Sequence, residues 1–231
     1  MDTSRFLEYF SRALMILLIL PLHELAHGFV AKKLGDDTAE LSGRITLNPL
    51  AHIDPIGSLL LLFTGFGWAK PVPVNPLRMK NPRKGMTLTA LAGPVSNLLA
   101  AFVIGLIYYF LLCFNFVIEG LTDSGYTPVR CFLMILGFMF QINIGLAVFN
   151  MLPIPPLDGF NVLRYFTSAK FDMWIQRNMQ YISIGFLIFI ILLNNIPSKY
   201  NLLIIVSNAV SGIILKCVSW IPEVIGYGVI G

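Results

Sequence analysis

Long stretches without any charged side chain are the feature that most constrains how this chain can fold. Three of them, 87–118, 131–157 and 178–198, contain no Asp, Glu, Lys or Arg. Each can supply the roughly 20 apolar residues that a helix needs to cross a bilayer. Only 12% of the 231 residues are charged, whereas soluble domains have about 25%. The sequence therefore predicts an α-helical polytopic membrane protein.

Two further segments extend this prediction to about five transmembrane helices. The first is 6–31, near the N-terminus, and the second is 200–215, which is shorter but still apolar. No polar linker is large enough to separate a second domain. We therefore expect a single transmembrane domain over 1–231, with its core at about 6–168 and additional C-terminal helices at 178–221.

Three shorter segments between the first two predicted spans are expected to lie beside the helices. The polar segment 38–49 has short alternating pieces that favour a strand or hairpin. The apolar segment 54–64 is too short to cross a bilayer, which favours a re-entrant or interfacial element. The proline-rich segment 67–76 is suited to a sheet edge or an ordered loop. The predicted fold thus includes one short re-entrant segment and a small membrane-associated β element.

The distribution of charge predicts how the chain is oriented in the membrane. The net charge is +4, but its basic residues do not gather on a polar domain, so no nucleic-acid surface is expected. By the positive-inside rule, the most basic loop is cytoplasmic and the loop with Glu119 and Asp123 lies outside. The residues that make the first loop basic are Lys70, Arg78, Lys80, Arg83 and Lys84.

Three ionisable residues lie close together inside an apolar predicted helix, in the motif His23-Glu24-Leu-Ala-His27. The two histidines are four residues apart, so on a helix their imidazoles lie on one face and can bind one Zn²⁺. Glu24 projects from a neighbouring direction, where it can act as a general base without being a ligand. A chance match is the alternative interpretation. The apolar setting argues against it, because ionisable groups in a membrane span are costly and usually functional.

A catalytic zinc usually has three protein ligands, so a third can be sought by elimination. A third histidine six residues after His27 is absent. The acidic residues directly after the motif are interpreted as a solvated helix end: Asp36, Asp37 and Glu40. Asp54 and Asp158 then remain as the acidic candidates, together with the third histidine of the chain, His52.

Asp158 is favoured as the third ligand by its surroundings. It follows Pro153, Pro155 and Pro156, where an apolar span is interrupted, and irregular backbone at membrane depth is tolerated only where it is buried in protein or lines a wet cavity. Asp54 is interpreted instead as the N-cap of the re-entrant segment. His52 can be a loop histidine with a backbone partner or a group that supports a zinc ligand.

These motifs resemble the site-2 protease family of intramembrane zinc metalloproteases. The histidine motif 23–27 and the later Asn150-Met-Leu-Pro…Leu-Asp-Gly159 segment occur in the order found in that family. Between them, 92–97 resembles its small-residue signature, and 48–57 resembles its compact members. The similarity covers about 21–160. We expect neither the inserted PDZ-like module nor the C-terminal regulatory domain of larger relatives in this chain. Gly93 and Pro94 are interpreted as helix packing and a kink.

The resemblance implies a zinc endopeptidase that hydrolyses peptide bonds in or near the transmembrane helix of a membrane-protein substrate. One zinc would be bound by His23, His27 and Asp158, with Glu24 as the base. Asn150 is favoured as a catalytic residue that holds the substrate carbonyl, with a bridge between helices as the alternative. Weaker candidates for substrate binding are Asn97, His52 and Asn75.

A substrate helix must unwind before cleavage, and an exposed chain edge near 41–48 or 72–75 could hold it by strand addition. The expected location is a cell membrane, with the site inside the bilayer and nearer to the cytoplasmic side. Two alternatives are a zinc or other cation transporter and an inactive membrane scaffold related to the enzymes. The scarcity of polar residues in later spans argues against the transporter, and an intact Glu24 argues against the scaffold.

Overall fold

The computed structural model describes residues 3–65, 67–114, 117 and 127–221, and all the regular secondary structure in these residues is helical. Three helical stretches are long and apolar enough to cross a membrane: Thr3–Lys33, Pro82–Leu111 and Pro128–Asn150. They confirm the prediction of a helical fold, and their length and composition are consistent with a membrane protein.

The described helices are α1 (Thr3–Leu14), α2 (Leu20–Lys33), α3 (Thr38–Leu41), α4 (Pro55–Thr64), α5 (Pro82–Leu111), α6 (Pro128–Asn150), α7 (Asp158–Leu163), α8 (Ala169–Arg177), α9 (Met179–Asn195) and α10 (Leu202–Val218). Single 3₁₀ turns occur at Pro49–Ala51, Pro76–Arg78 and Ser198–Tyr200. Helices α9 and α10 have 17 residues each, a little short of the roughly 20 expected for a span. The predicted number of five transmembrane helices is therefore not confirmed.

Helices α1 and α2 form one continuous stretch, joined by a π-helical turn at Met15–Ile19. Pro21 follows this turn and cannot donate the backbone hydrogen bond of a regular helix, so the wider turn occurs where the regular pattern is interrupted. The interruption of the regular helix thus lies directly before the histidine motif.

Helix α5 lies at the centre of the fold and packs most extensively against α6 and α2. The side chains at its contact with α6 are almost completely buried, as at Ala101, Ile104, Phe140 and Ile144. Such close packing holds α5 and α6 in fixed positions. Helix α2, which contains the histidine motif, and the end of α6, which precedes Asp158, are therefore both attached to one rigid core.

The predicted β element is not found in the described part of the chain. Residues Thr38–Leu41 form the helical turn α3, so the strand predicted from 38 is wrong for these residues. Residues 67–75 adopt neither helix nor strand, which agrees with an ordered loop and not with a sheet edge. The apolar segment 54–64 is the short helix α4, and the Asp54 carboxylate caps it by accepting a hydrogen bond of 2.8 Å from Gly57 N–H. The N-cap interpretation of Asp54 is confirmed.

Asp36 does not belong to a solvated helix end, and that interpretation was wrong. Its side chain is fully buried and accepts hydrogen bonds from the N–H groups of Thr38, at 3.0 Å, and Asn75, at 2.6 Å. Burial would raise the pKa of Asp36, but the hydrogen bond from the Thr38 hydroxyl, the two from these N–H groups and the charge of Arg78 outweigh it and hold the pKa below its ordinary value. Asp36 therefore connects the end of α2 to residue 75. In contrast, Asp37 and Glu40 form exposed ion pairs, as expected.

Candidate metal centre

His23, His27 and Asp158 bring their ligand atoms together in the interior. The two histidine Nε2 atoms are 3.0 Å apart, and each lies 3.4 Å from Asp158 Oδ2. Zinc with bonds of about 2.0–2.2 Å in a tetrahedral arrangement would place its ligand atoms about 3.3–3.6 Å apart. The distances to Asp158 fall in this range, and the distance between the histidines is a few tenths of an ångström shorter. The three side chains therefore form a group that can hold one metal ion.

The hydrogen bonds of these residues also fit a zinc site. His27 Nδ1–H donates to the Thr89 carbonyl at 2.7 Å, which leaves Nε2 with the lone pair that a metal needs. Asp158 Oδ2 is buried and has no hydrogen-bond partner among the described residues. A buried carboxylate oxygen without a partner is costly, and a cation between it and the imidazoles would remove that cost.

Asp158 reaches the histidines because the chain folds back after α6. Helix α6 ends at Asn150, the following residues form turns, and α7 begins at Asp158 itself. A Cβ atom at Gly159 would overlap with the Met151 carbonyl, so only glycine allows this close return of the chain. The interruption with its prolines therefore directs the first side chain of α7 toward α2.

Glu24 lies beside the metal group without belonging to it. Its side chain is buried, and Oε2 accepts a hydrogen bond of 2.9 Å from the Val72 N–H. Glu24, the three candidate ligands and Asn150 all line one cavity of about 840 Å³. Such a volume is typical of a ligand pocket. The cavity therefore combines a metal group, a carboxylate and an amide.

The other three predicted site residues do not line this cavity in the described structure. Asn97 is fully buried in α5, and its amide has no hydrogen-bond partner among the described residues. His52 Nε2–H donates to the Thr46 carbonyl at 2.9 Å, which agrees with the interpretation as a loop histidine with a backbone partner. The Asn75 side chain accepts a hydrogen bond from Leu77 N–H and caps the turn that follows.

Gly93 contributes to the site directly, beyond the helix packing that its sequence context indicates. A Cβ atom at this position would overlap with the imidazoles of His23 and His27, so the backbone of α5 lies directly against both rings. Thr89, one turn earlier on the same face, holds His27 through its carbonyl. The small-residue signature 92–97 thus includes the residue that lets α5 support the histidines.

We expect Gly93→Ala to weaken zinc binding and lower activity, because the added methyl group must displace an imidazole or α5. Overpacking of this kind typically costs about 1–3 kcal/mol. The measurement is zinc content after dialysis against a graded chelator series, together with proteolysis. Gly105→Ala on the same helix is the matched control, since its Cβ would make an ordinary contact of 3.5 Å with Val218. Equal zinc retention in both variants would contradict this expectation.

Comparisons with known proteins agree with the chemistry of the site. The sequence profile of peptidase family M50 matches residues 11–193. A Bacillus subtilis protein named "Putative zinc metalloprotease YwhC" is 38% identical over 195 residues, which are 82% of this chain and 84% of the relative. "Putative zinc metalloprotease Rip2" of Mycolicibacterium smegmatis is 29% identical over 202 residues, 83% of this chain and 71% of the relative. No solved structure gave a significant match.

The matched region contains every residue of the candidate centre. It runs from α1 to α9 and so includes the histidine motif, the central helix α5 and the return of the chain at Asp158. The donor set of two imidazoles and one carboxylate is also one that zinc enzymes use. The chain belongs to peptidase family M50, the site-2 protease family, and is a zinc metalloprotease of the membrane.

Proposed function

We propose that this metalloprotease is an intramembrane endopeptidase that hydrolyses peptide bonds in or near the transmembrane helix of membrane-protein substrates. One observation supports this most strongly: the metal group and Glu24 line the same cavity, and the two histidines and Glu24 belong to an apolar helical stretch long enough to cross the bilayer. A site at that depth would meet substrates that are themselves in the membrane.

In the proposed reaction, His23, His27 and Asp158 would hold one zinc ion. The zinc, when bound, supplies a Lewis acid that polarises the scissile carbonyl and makes a water more acidic. The Glu24 carboxylate accepts a proton from the attacking water and passes it to the leaving nitrogen as the C–N bond breaks. The Asn150 amide, at the end of α6 and in the same cavity, donates a hydrogen bond to the substrate carbonyl oxygen.

The two alternative functions receive less support than the protease. A cation transporter would need polar groups along a path, whereas the further described residues that line the cavity are mostly apolar, such as Leu61, Leu146 and Phe186. An inactive scaffold would not need a buried carboxylate beside the metal group, and Glu24 is buried there. Metalloprotease relatives also favour catalysis over both alternatives.

We further propose that the site lies nearer to the cytoplasmic face of a cell membrane, in a multi-pass protein. The basic loop that precedes α5 and the interruption after α6 are expected on the cytoplasmic side. Lys80→Cys and Pro128→Cys, each made in a background without the native cysteines, should react with a membrane-impermeant thiol reagent from opposite faces. Both positions are exposed. Labelling of Lys80→Cys from outside intact cells would contradict the orientation.

Substrate unwinding provides a direct test of the proposed function. A peptide bond inside a helix has its carbonyl in a hydrogen bond, so we expect attack on that carbonyl only after the segment has unwound. In proteoliposomes, a single-span substrate with Gly or Pro near the cleavage site should be cleaved at least several times faster than a matched substrate with Leu and Ala there. The substrate with Gly tests the effect of lower helix stability without the fixed φ angle and the missing N–H that Pro would add. Equal rates for both substrates would argue against unwinding, and no cleavage of either would overturn the proposed function.

A further inference from the structure

The loop between α4 and the turn Pro76–Arg78 makes a direct contact with Glu24. Val72 N–H donates to Glu24 Oε2 at 2.9 Å, and both residues are buried. Pro71 and Pro73 flank Val72 and have no N–H of their own. The N–H of Val72 is therefore the single backbone donor within 71–73, and it is directed at the proposed catalytic base.

The loop is anchored on one side of Val72 through Lys70. The Lys70 N–H donates to the His52 carbonyl at 2.8 Å, and the Lys70 carbonyl accepts from Arg44 Nη2 at 2.6 Å. Both partners are buried, with His52 1% and Arg44 9% exposed. Burial of an arginine and a histidine costs free energy unless their polar groups form hydrogen bonds or ion pairs. In this chain both residues fix the backbone two positions before Val72.

A second anchor lies three positions after Val72. The Asn75 N–H donates to Asp36 Oδ2 at 2.6 Å, and Asp36 is fully buried three residues after the end of α2, the helix that carries Glu24. Between the anchors, Lys70 and Val72 each precede a proline, which restricts both to extended conformations. The segment 70–75 is thus held at both ends and has few conformations available between them.

We infer that the segment 70–75 is a positioning element for the catalytic base, acting through the Val72 N–H. The inference rests on the proposed role of Glu24. A glutamate side chain has three rotatable torsions, and a fixed donor on Oε2 removes most of that freedom. Oε1 is then the carboxylate oxygen that takes the proton. Val72 is a positioning residue, and Arg44, His52 and Asp36 support it by holding the segment.

The test replaces the Val72 amide with an ester, by incorporating the α-hydroxy acid that corresponds to valine into the full-length protein. This removes the N–H and keeps the side chain. Loss of a hydrogen bond to a charged group typically changes an equilibrium or rate constant by about 10-fold to 100-fold. We therefore expect the kcat of the Val72 ester to be lower than that of the unmodified protein by about that factor. KM should change less than about threefold, and the zinc content should be unchanged.

The matched control is the same ester at Val74, which has the same side chain and lies in the same segment. No described contact links its N–H to Glu24. We expect its effect on kcat to be at least about fivefold smaller than that of the Val72 ester, and any larger effect to appear in KM. Equal decreases in kcat for the two esters would mean that the segment affects catalysis only through its overall conformation and not through the Val72 N–H. That result would overturn the inference.

A second measurement does not depend on catalysis. Amide hydrogen exchange at Val72 is followed in zinc-free protein labelled with ¹⁵N-valine, with and without Glu24→Ala. Loss of the acceptor should speed exchange at Val72 by at least about 10-fold and leave Val74 within about twofold. Unchanged exchange at Val72 would overturn the inference even if the ester variant failed to fold.

Failure of the inference can be distinguished from failure of the proposed function. Kinetics are measured on an unstructured soluble peptide as well as on a single-span substrate in proteoliposomes. Cleavage of the peptide alone would remove the intramembrane function and still allow the two esters to be compared. Cleavage of both substrates, with an unchanged kcat in the Val72 ester, would overturn only the positioning role.

Discussion

Glu24→Gln should reduce proteolysis by at least about 100-fold while leaving the zinc content and the fold unchanged. General base catalysis typically contributes about 10²- to 10⁴-fold, and a carboxamide cannot accept the proton. The substitution preserves the shape of the side chain. Its carbonyl oxygen can still accept the hydrogen bond that Val72 N–H donates to Glu24. The variant therefore removes basicity with little change in packing.

The measurement combines metal analysis of the purified protein with cleavage of a reconstituted substrate. Glu40→Gln is the matched control, because Glu40 is a partly exposed residue that pairs with Lys32 and should tolerate the change. Full activity of Glu24→Gln would remove Glu24 as the base, whereas loss of zinc would make it a ligand. In cells, membrane proteins that remain uncleaved in the Glu24→Gln strain would be the candidate substrates.

Local sequence rules predicted the parts of the site that depend on residue type and spacing. The separation of four residues put His23 and His27 on one face, and the interruption after Asn150 identified Asp158 as the carboxylate that joins them. The Asp-Pro pair at Asp54 was interpreted as a helix cap and is one. The structure brings the three side chains together and confirms the cap, and each expectation depended on residue types within a few positions of the chain. Zinc binding by the three side chains stays a prediction.

The same rules failed where a distant contact decides the local structure. The segment from Thr38 was expected to form a strand, but the buried Asp36 carboxylate accepts hydrogen bonds from the N–H and hydroxyl of Thr38, and a helical turn begins there. Asp36 is itself buried because Asn75 N–H meets it from another part of the chain. Short polar segments have little propensity of their own, so such contacts determine their conformation.

Two contributions to the site have no signature in residue type alone. The Val72 N–H reaches Glu24 through the backbone, and any residue except proline could supply that donor. Gly93 looks like any small residue at a helix contact, although its neighbours are the two imidazoles. Both become visible only when the packing of α5 and the 70–75 segment around α2 is known.

Asp158→Ala should cause the largest loss of zinc among single substitutions outside the histidine motif, and it should stop cleavage. Loss of a group that only supports a ligand costs about 10- to 100-fold in metal affinity, and loss of a ligand should cost more. The reason is the geometry: Asp158 Oδ2 lies 3.4 Å from both imidazole Nε2 atoms and has no other partner among the described residues. Zinc affinity measured by competition with a chelator tests this directly.

Asp54→Ala is the matched control, because it removes another aspartate from a helix N-terminus. Its carboxylate caps α4 through Gly57 N–H, so we expect a stability loss of about 0.5–2 kcal/mol with zinc retained. Asp158→Glu should retain part of the metal with little activity, since the longer side chain moves the oxygen by about an ångström in a rigid site. Zinc loss in Asp54→Ala, with zinc retained in Asp158→Ala, would overturn the assignment of the third ligand. The return of the chain after α6 would then need another explanation.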